Sequence, residues 1–505
     1  MALAPFFSKS ALSASQILSA VSQDEFIRRV ENTRVAIAFA GNASRSVEGR
    51  ATLELLVNLL ARLLPSLGLQ GLDKSAQAFL PDLERLAVSI NPLIEISSDA
   101  ESTLVVIVGE AEWKHAGEKL YVGSEGWIAH LSRNKPQSCG QSEIPFGAAA
   151  AACIASANVF RFIFRDALPE ADLDGEIDFS LWDYDATRSE PPYGPFSVGE
   201  VHLAGAGAIG NGLLWTLARL PNVSGKIHVI DPEQIDLGNL QRYVLTTHDS
   251  PTQLKTQLAE KTFANASLKI ESHSVKWGTY LAMRGDYEID TVAVALDSGR
   301  ARIEVQGSLP RRIFNAWTQR ENLGVSRHLD FLNKPCLACL YLPDGEVPHE
   351  DAEIALSLKM PGPEALMEIR LLLHTGAPLS PEFVERVAAL AGKDPAALAS
   401  FVDQPLRNLY SGAVCGGLLL DLSGPASPAA EVPMPFQSAL AGVMLAAELV
   451  AAEFEPSRPT TTTLNLLRPF PPYLSFPREK RSGCVCADAV FCKVYDNKWN
   501  QPASR

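Results

Sequence analysis

Cysteine is sparse in this sequence, eight in 505 residues, which excludes a disulfide-stapled scaffold. Positive charge is also in short supply: 44 Lys and Arg against 58 Asp and Glu leave a formal net charge of −14. That is far from the basic footprint of a protein whose main work is gripping nucleic acid, so no nucleic-acid partner is expected. Long, strongly apolar runs are missing as well. The most apolar stretch, Ile144 to Phe160, is dominated by alanine and falls short of the ~20 strongly apolar positions of a membrane span. It predicts a buried helix and no membrane partner. The opening MALAPFFSKSALSASQ lacks a charged start feeding an unbroken apolar core, so no secretory signal is read and a cytoplasmic protein is expected.

What is present is ordinary globular material, 47% hydrophobic and 20% charged, long enough for about three compact units. The Pro- and Gly-bearing segment Thr187 to Glu200 reads as a linker, and the segments on its two sides look related. The first carries the strand VAIAFAG (Val35 to Gly41), an apolar helix through Leu53 to Leu64, strand-like runs TLVVIVG and KLYVG, and an Ala-rich helix from Phe146 to Phe164. The second begins with a strand and glycine turn at Val201 to Leu220, continues with the strand KIHVID ending at Asp231, and adds the run Thr291 to Val305. Strands alternating with helices predict a doubly wound α/β sheet. Between Pro343 and Pro405 the pattern changes to prolines and helices, which reads as an insertion before an Ala-rich helix, Ser438 to Phe454, rejoins the α/β body.

Gly205, Gly207 and Gly210 form G-x-G-x-x-G between a strand and a helix, a pattern that brings backbone amides close to a nucleotide phosphate. Asp231 ends the next strand, where a carboxylate accepts hydrogen bonds from ribose hydroxyls. A nicotinamide dehydrogenase would share this fingerprint, so the residues that follow decide. They read DPEQIDLGNLQRYVL, with Asn239 and Arg242, and then Lys255. A redox dinucleotide does not require this polar and cationic group, whereas a triphosphate cleaved between its α and β phosphorus atoms does. Asp297 supplies a hard oxygen ligand suited to Mg²⁺. Singly, Arg242 and Lys255 also read as surface charges and Asp297 as a helix cap.

Taken together, these residues resemble the ThiF/MoeB and ubiquitin-activating enzyme superfamily, closely over Phe196 to Asp344 and loosely over Val432 to Glu448. Gly205, Gly207 and Gly210 match its glycine turn, Asp231 its ribose Asp, Asn239 and Arg242 its N-L-x-R core, Lys255 its Lys, and Asp297 with Arg302 its last element. Gly238, Tyr243 and Ser298 depart from the usual Ser, Gln and Asn. The resemblance implies two Rossmann-like adenylation-type domains. Residues 1–190 would be the degenerate copy, because Gly41 to Gly49 lacks the phosphate-binding pattern. The active copy would be 191–345 with 430–505, and 346–429 the insertion. It also implies that an arginine crosses from the inactive half to the phosphates, for which Arg28 or Arg29 is the candidate.

The cysteines then divide. Cys336 and Cys339 form C-x-x-C and Cys484 and Cys486 form C-x-C, spacings that complete a tetrahedral zinc site, with Cys492 an alternative ligand. The family's structural zinc uses two C-x-x-C pairs in similar places. Cys415 lies among glycines in NLYSGAVCGGLLLDL; the resemblance makes it the nucleophile of an acyl thioester, and a buried structural thiol is the competing reading. Cys139 and Cys153 read as structural. The expected function is activation of a ubiquitin-like protein ending in glycine, with ATP, Mg²⁺ and structural Zn²⁺, followed by thioester formation on Cys415 and transfer to a conjugating enzyme. The bacterial ubiquitin-like (Bil-type) conjugation operons of antiphage defence offer the nearest resemblance. Sulfur-carrier adenylation without a thioester, a nucleotide-binding pseudoenzyme scaffold and a nicotinamide oxidoreductase are the alternatives.

Overall fold

The computed structural model describes residues 6–18, 21–97, 102–184, 194–342, 350–360, 362–410, 432–454, 458–470, 474–476 and 478–500. The chain divides into two units, one of Met1–Phe7, Ile27–Leu342 and Pro433–Arg505, the other of Ser8–Phe26 and Pro343–Val432.

The larger unit holds two sheets. The first is built from β1 (Val35–Phe39), β2 (Ser66–Gly71), β3 (Glu95–Ser97), β4 (Leu104–Val108), β5 (Glu118–Glu125), β6 (Ile128–Ser132) and β7 (Ile177–Ser180), in the order β3-β2-β1-β4-β5-β6-β7. The second contains β8 (Phe196–Ala204), β9 (Val223–Ile230), β10 (Lys269–His273), β11 (Thr291–Val294), β12 (Arg312–Thr318), β13 (Asn322–His328), β14 (Thr461–Asn465) and β15 (Leu474–Phe476), in the order β10-β9-β8-β11-β12-β13-β14-β15. In each sheet the first five strands are parallel and the remainder antiparallel. The fold class is therefore α/β with two Rossmann-like sheets sharing one strand order. The antiparallel extensions went unread in the sequence, because β13 (NLGVSRH) and β14 (TTTLN) carry few of the large apolar residues that announce a strand.

The central strands are buried on both faces: β1, β4 and β11 are buried at every position, as runs of Val, Ile and Ala in a parallel sheet require. Helices Phe146–Ile163 and Pro435–Ala452 occupy matching places, between β6 and β7 and between β13 and β14. Each is long and apolar enough to cross a membrane, yet 94% of each is buried inside the protein. The expectation of a buried helix holds for the first, and the second is the expected Ala-rich helix that rejoins the α/β body. Small residues let the second of these helices reach the helix Ala208–Leu217 that follows the glycine turn. A Cβ at Gly212 would lie 2.7 Å from Ala439 O, and one at Gly442 would lie 2.3 Å from Ile209 O.

The two halves share a buried ionic cluster. Arg327 donates from Nε to Glu448 Oε2 at 2.5 Å and from Nη2 to Oε1 at 2.6 Å, and Arg458 and Tyr184 also donate to Oε1. Burial alone would raise the Glu448 carboxyl, but Arg327 and Arg458 hold it down to about 2. A charge this deep is tolerated because it is paired and fully hydrogen-bonded.

The smaller unit is helical. Helices Glu350–Ser357, Pro363–Thr375 and Pro381–Ala391 pack around a core of Ile354, Leu358, Ile369, Phe383, Val387 and Leu406. Ser13 Oγ donates to Val432 O at 2.6 Å, bringing the N-terminal helix Phe7–Ile17 into that unit. Cys415 lies outside the described residues.

Because backbone meets backbone at the helix crossing, Gly442→Val forces the helices apart. We expect a loss of about 3 kcal/mol or more of unfolding free energy, read as a lowered denaturant midpoint, with Ala439→Ser near wild type as a control.

Candidate nucleotide site

The site forms where the strand order reverses, at the carboxyl ends of β8, β9 and β11. Gly205 leaves β8 with φ +95°, and a Cβ there would lie 2.7 Å from Ala295 O. Gly210 is equally constrained, since its Cβ would lie 2.5 Å from Gly205 O. Gly207 caps the helix and is different: the nearest atom to a Cβ there would be Tyr243 Oη at 3.5 Å. Two glycines thus shape the turn, and the third leaves its outer side open.

Asp231 is buried at the end of β9. Its Oδ2 accepts from Ala206 N at 2.8 Å and its Oδ1 from Glu233 N at 2.9 Å. Burial raises its pKa, with Lys255 opposing. Lys255 Nζ donates to Glu233 Oε2 at 2.5 Å and lies 3.9 Å from Asp231 Oδ2. Burial would lower the Lys255 pKa, but Tyr243, Asp231 and Glu233 carry it above the ordinary lysine value, so the ammonium stays charged. The Arg242 guanidinium and the Lys255 ammonium lie 5.7 and 5.4 Å from the centre of the Tyr243 ring. Among the described residues Arg242 Nη1 is buried without a hydrogen-bond partner, and so are both amide atoms of Gln241. Orphaned buried donors beside an open glycine turn suit an anion.

Two further expected site residues flank this cluster. Asn239 forms a capping box with Asp236: Asn239 N donates to Asp236 Oδ1 at 3.0 Å and Asp236 N to Asn239 Oδ1 at 3.1 Å. Its side chain here orders the Leu237–Gln241 turn that presents Arg242. Asp297 is exposed just beyond β11. Arg302, by contrast, is buried and donates to Ala316 O at 2.8 Å, to Tyr341 Oη at 3.0 Å and to Leu296 O, so it fixes the loop carrying Asp297.

Arg62 of the first half reaches into the second, from a helix other than the one that carries the candidates Arg28 and Arg29. Arg29 pairs with Asp166 of its own half, both nitrogens engaging the carboxylate. Arg62 is fully buried on helix Val47–Ala61's C-terminal boundary. Its Nη1 donates to Leu240 O, its Nη2 to Thr246 O at 2.7 Å and its Nε to Asn58 Oδ1 at 3.0 Å. Asn58 Nδ2 in turn donates to Val244 O at 2.9 Å. The first half thereby grips both sides of the segment bearing Arg242 and Tyr243. Polar residues four apart inside the apolar run LELLVNLLARLL were the available signal.

The first half makes a matching contact. Asp73 follows β2 as Asp231 follows β9, and its Oδ2 accepts from Gly41 N at 2.7 Å, as Asp231 accepts from Ala206 N. There, however, a Cβ at Gly41 would lie 2.6 Å from Arg45 Nη1, and the chain breaks into two helices, Gly41–Arg45 and Val47–Ala61, where the second half has one open turn.

Away from this site the four cysteines come together. Cys336 Sγ lies 3.4 Å from Cys484 Sγ and Cys339 Sγ 3.4 Å from Cys486 Sγ, and all four sulfurs lie within 4.8 Å of one another. Four thiolates about 2.3 Å from a tetrahedral centre fit this spacing. The four thiols act on one another, holding Cys339 and Cys486 below the usual thiol range and Cys336 and Cys484 above it. Cys492 stands outside the group, its thiol donating to Cys486 O at 3.3 Å.

A doubly wound sheet with a tight glycine turn, a buried acid ending the second strand and a basic loop beside it defines a nucleotide-binding α/β protein. Residues 196–451 match the ThiF family, and the chain belongs to that family. The family binds ATP and acts as adenylyltransferase. Residues 38–165 match Prokaryotic E2 family C. The "Uncharacterized protein y4jF" of Sinorhizobium fredii is 44% identical over 99% of this chain and 98% of its own length. Crystal structures of E. coli MccB resemble 57% of this chain at 14% identity. The complex with MccA-N7isoASN has a TM-score of 0.35 and is covered over 67% of its length; MccB alone has 0.36 and 65%.

Two outcomes test these contacts. Arg62→Ala strands the buried carbonyls of Leu240 and Thr246, and we expect about 3–5 kcal/mol of lost stability together with weakened ATP binding by titration calorimetry. Chelation of the purified protein should remove the zinc held by the four cysteines, read by elemental analysis, and lower the melting temperature, and Cys336→Ser should lose that ion.

Proposed function

We propose that this protein activates the C-terminal carboxylate of a ubiquitin-like protein and hands the acyl group on as a thioester. The single observation that carries the reading is the convergence of the open glycine turn, Asp231, Arg242 and Lys255 at one sheet edge. Asp231 would accept from the ribose hydroxyls, and the backbone amides after Gly205 would face the α-phosphate. Arg242, through its unpartnered Nη1, and Lys255, on release from Glu233, would meet the β and γ phosphates. Magnesium held by Asp297 would neutralise charge shared between the phosphates. A carboxylate oxygen attacks the α-phosphorus, the bond to the bridging oxygen breaks and pyrophosphate leaves, giving an acyl-adenylate. The Cys415 thiolate then attacks the acyl carbon, expelling AMP, and the thioester passes to the thiol of a conjugating enzyme.

The match of residues 38–165 to Prokaryotic E2 family C raises the question of whether the first half accepts the acyl group itself. Its thiols are poorly suited. Cys153 is fully buried, which drives its pKa up, and burial with Glu48 and Glu110 nearby pushes Cys139 up to about 12. A thiol needs a lowered pKa to attack, which argues against these two as acceptors and for a separate conjugating partner. A cytoplasmic setting, where thiols stay reduced, accords with the four-cysteine site. A Bil-type role in antiphage defence would place genes for a glycine-ending ubiquitin-like protein and a conjugating enzyme beside this one.

Asp297→Ala should abolish ATP–pyrophosphate exchange. Cys415→Ala should leave exchange intact and remove the adduct that reducing agent cleaves; an adduct that survives the Cys415 substitution overturns that assignment.

A further inference from the structure

Three histidines line up across the first three parallel strands of the second sheet, and no step of adenylation uses them. His202 on β8 and His228 on β9 are paired in register, and their rings stack 4.7 Å apart at 7°. His228 and His273 of β10 follow at 5.2 Å and 23°. His228 Nδ1 lies 3.0 Å from His273 Nε2. Glu271, two residues before His273, adds a carboxylate 3.6 Å from His273 Nε2 and 3.8 Å from His228 Nδ1. We propose that His228 Nδ1, His273 Nε2 and Glu271 bind a divalent transition-metal ion of the zinc, cobalt or nickel type, separate from the four-cysteine site.

The geometry fits such an ion. Metal–nitrogen bonds of about 2.0–2.1 Å put two ligating ring nitrogens roughly 3.0–3.4 Å apart at tetrahedral to square angles. Two imidazole nitrogens facing each other at this range share a proton or a cation. His228 Nε2 faces Glu200 Oε1 at 2.9 Å, and a carboxylate there favours the ring proton on Nε2, so that without an ion Nδ1 accepts from His273 Nε2–H. A bound ion replaces that one shared proton, which is released to solvent, and takes both lone pairs, with Glu200 supporting the His228 ring from its far side. Arg284 secures Glu200 through Nη1 at 2.7 Å and also approaches His202 Nε2 at 3.4 Å, so a guanidinium covers the His202 side and leaves the His273 side for the ion. Lys226 occupies Glu271 Oε2 at 3.1 Å, leaving Oε1 toward His273. Glu200, Glu271 and Asp286 outnumber Lys226 and Arg284, so added positive charge is favoured. Access is from the sheet edge, since β10 ends the strand order and the Glu271 side chain is 47% exposed.

Cobalt(II) titration of the metal-free full chain separates the two sites. The cysteine site gives sulfur-to-cobalt charge transfer in the near ultraviolet; the histidine site gives only weak visible bands. We expect two cobalt ions per chain, one of each kind. His228→Gln and His273→Gln should lose the second ion while keeping the sulfur band, which also reports that the variant is folded. His202→Gln, outside the ligand set, should retain both. A single cobalt per chain in the wild type, or a second ion indifferent to His228→Gln and His273→Gln, overturns the proposal.

Discussion

One buried guanidinium holds the architecture to its chemistry. Arg62 belongs to the first half, yet its Nη1 and Nη2 donate to carbonyl oxygens of the second, on the segment that carries Arg242 and Tyr243. A fully buried cation and the carbonyls it serves are costly to separate, because each would be left desolvated and unpaired. The two halves are therefore committed to each other, and the Glu448 cluster, which gathers Arg327, Arg458 and Tyr184, makes the same commitment at a second point. The half without an open phosphate turn serves the half that has one by fixing a loop that has little regular structure of its own.

Shared strand order in the two sheets, with buried helices at matching places, marks a duplicated design. The copies differ where the chemistry would be. Asp73 still accepts from the amide of Gly41, but Arg45 crowds that glycine; Asp231 does the same for Ala206, with Gly207 open beside it. A carboxylate that orders a turn has a task with or without a ligand, because the backbone donors it satisfies need a partner. A glycine that leaves room for phosphate has no such second task.

The sequence made the glycine turn, Asp231, Lys255 and the grouping of four cysteines legible, because each depends on spacing along the chain or on residue types rare enough to stand out. Asn239 matches the family's N-L-x-R core, and its side chain closes a capping box that the D-x-x-N spacing from Asp236 also signals. Arg62 stands in no such motif. Which arginine crosses depends on how two sheets pack, a relation among residues nearly two hundred positions apart that no local pattern encodes. The histidine row was invisible for the same reason: His202, His228 and His273 lie on three strands and meet only through their register.

The helical unit interrupts the second half between β13 and the helix Pro435–Ala452, where the first half has only the short connection between β6 and Phe146–Ile163. Closing the longer loop costs on the order of 2 kcal/mol more at equilibrium, since the entropy grows only as the logarithm of length. Its larger effect is on time. The pairing of β13 with β14 and the seating of Gly442 against Ile209 join residues far apart in sequence, and such contacts slow folding. Early folding of the interposed helices would shorten the effective separation, so the order in which the pieces acquire structure, more than their final stability, sets how long an unfinished second sheet leaves β13 as an unpaired edge.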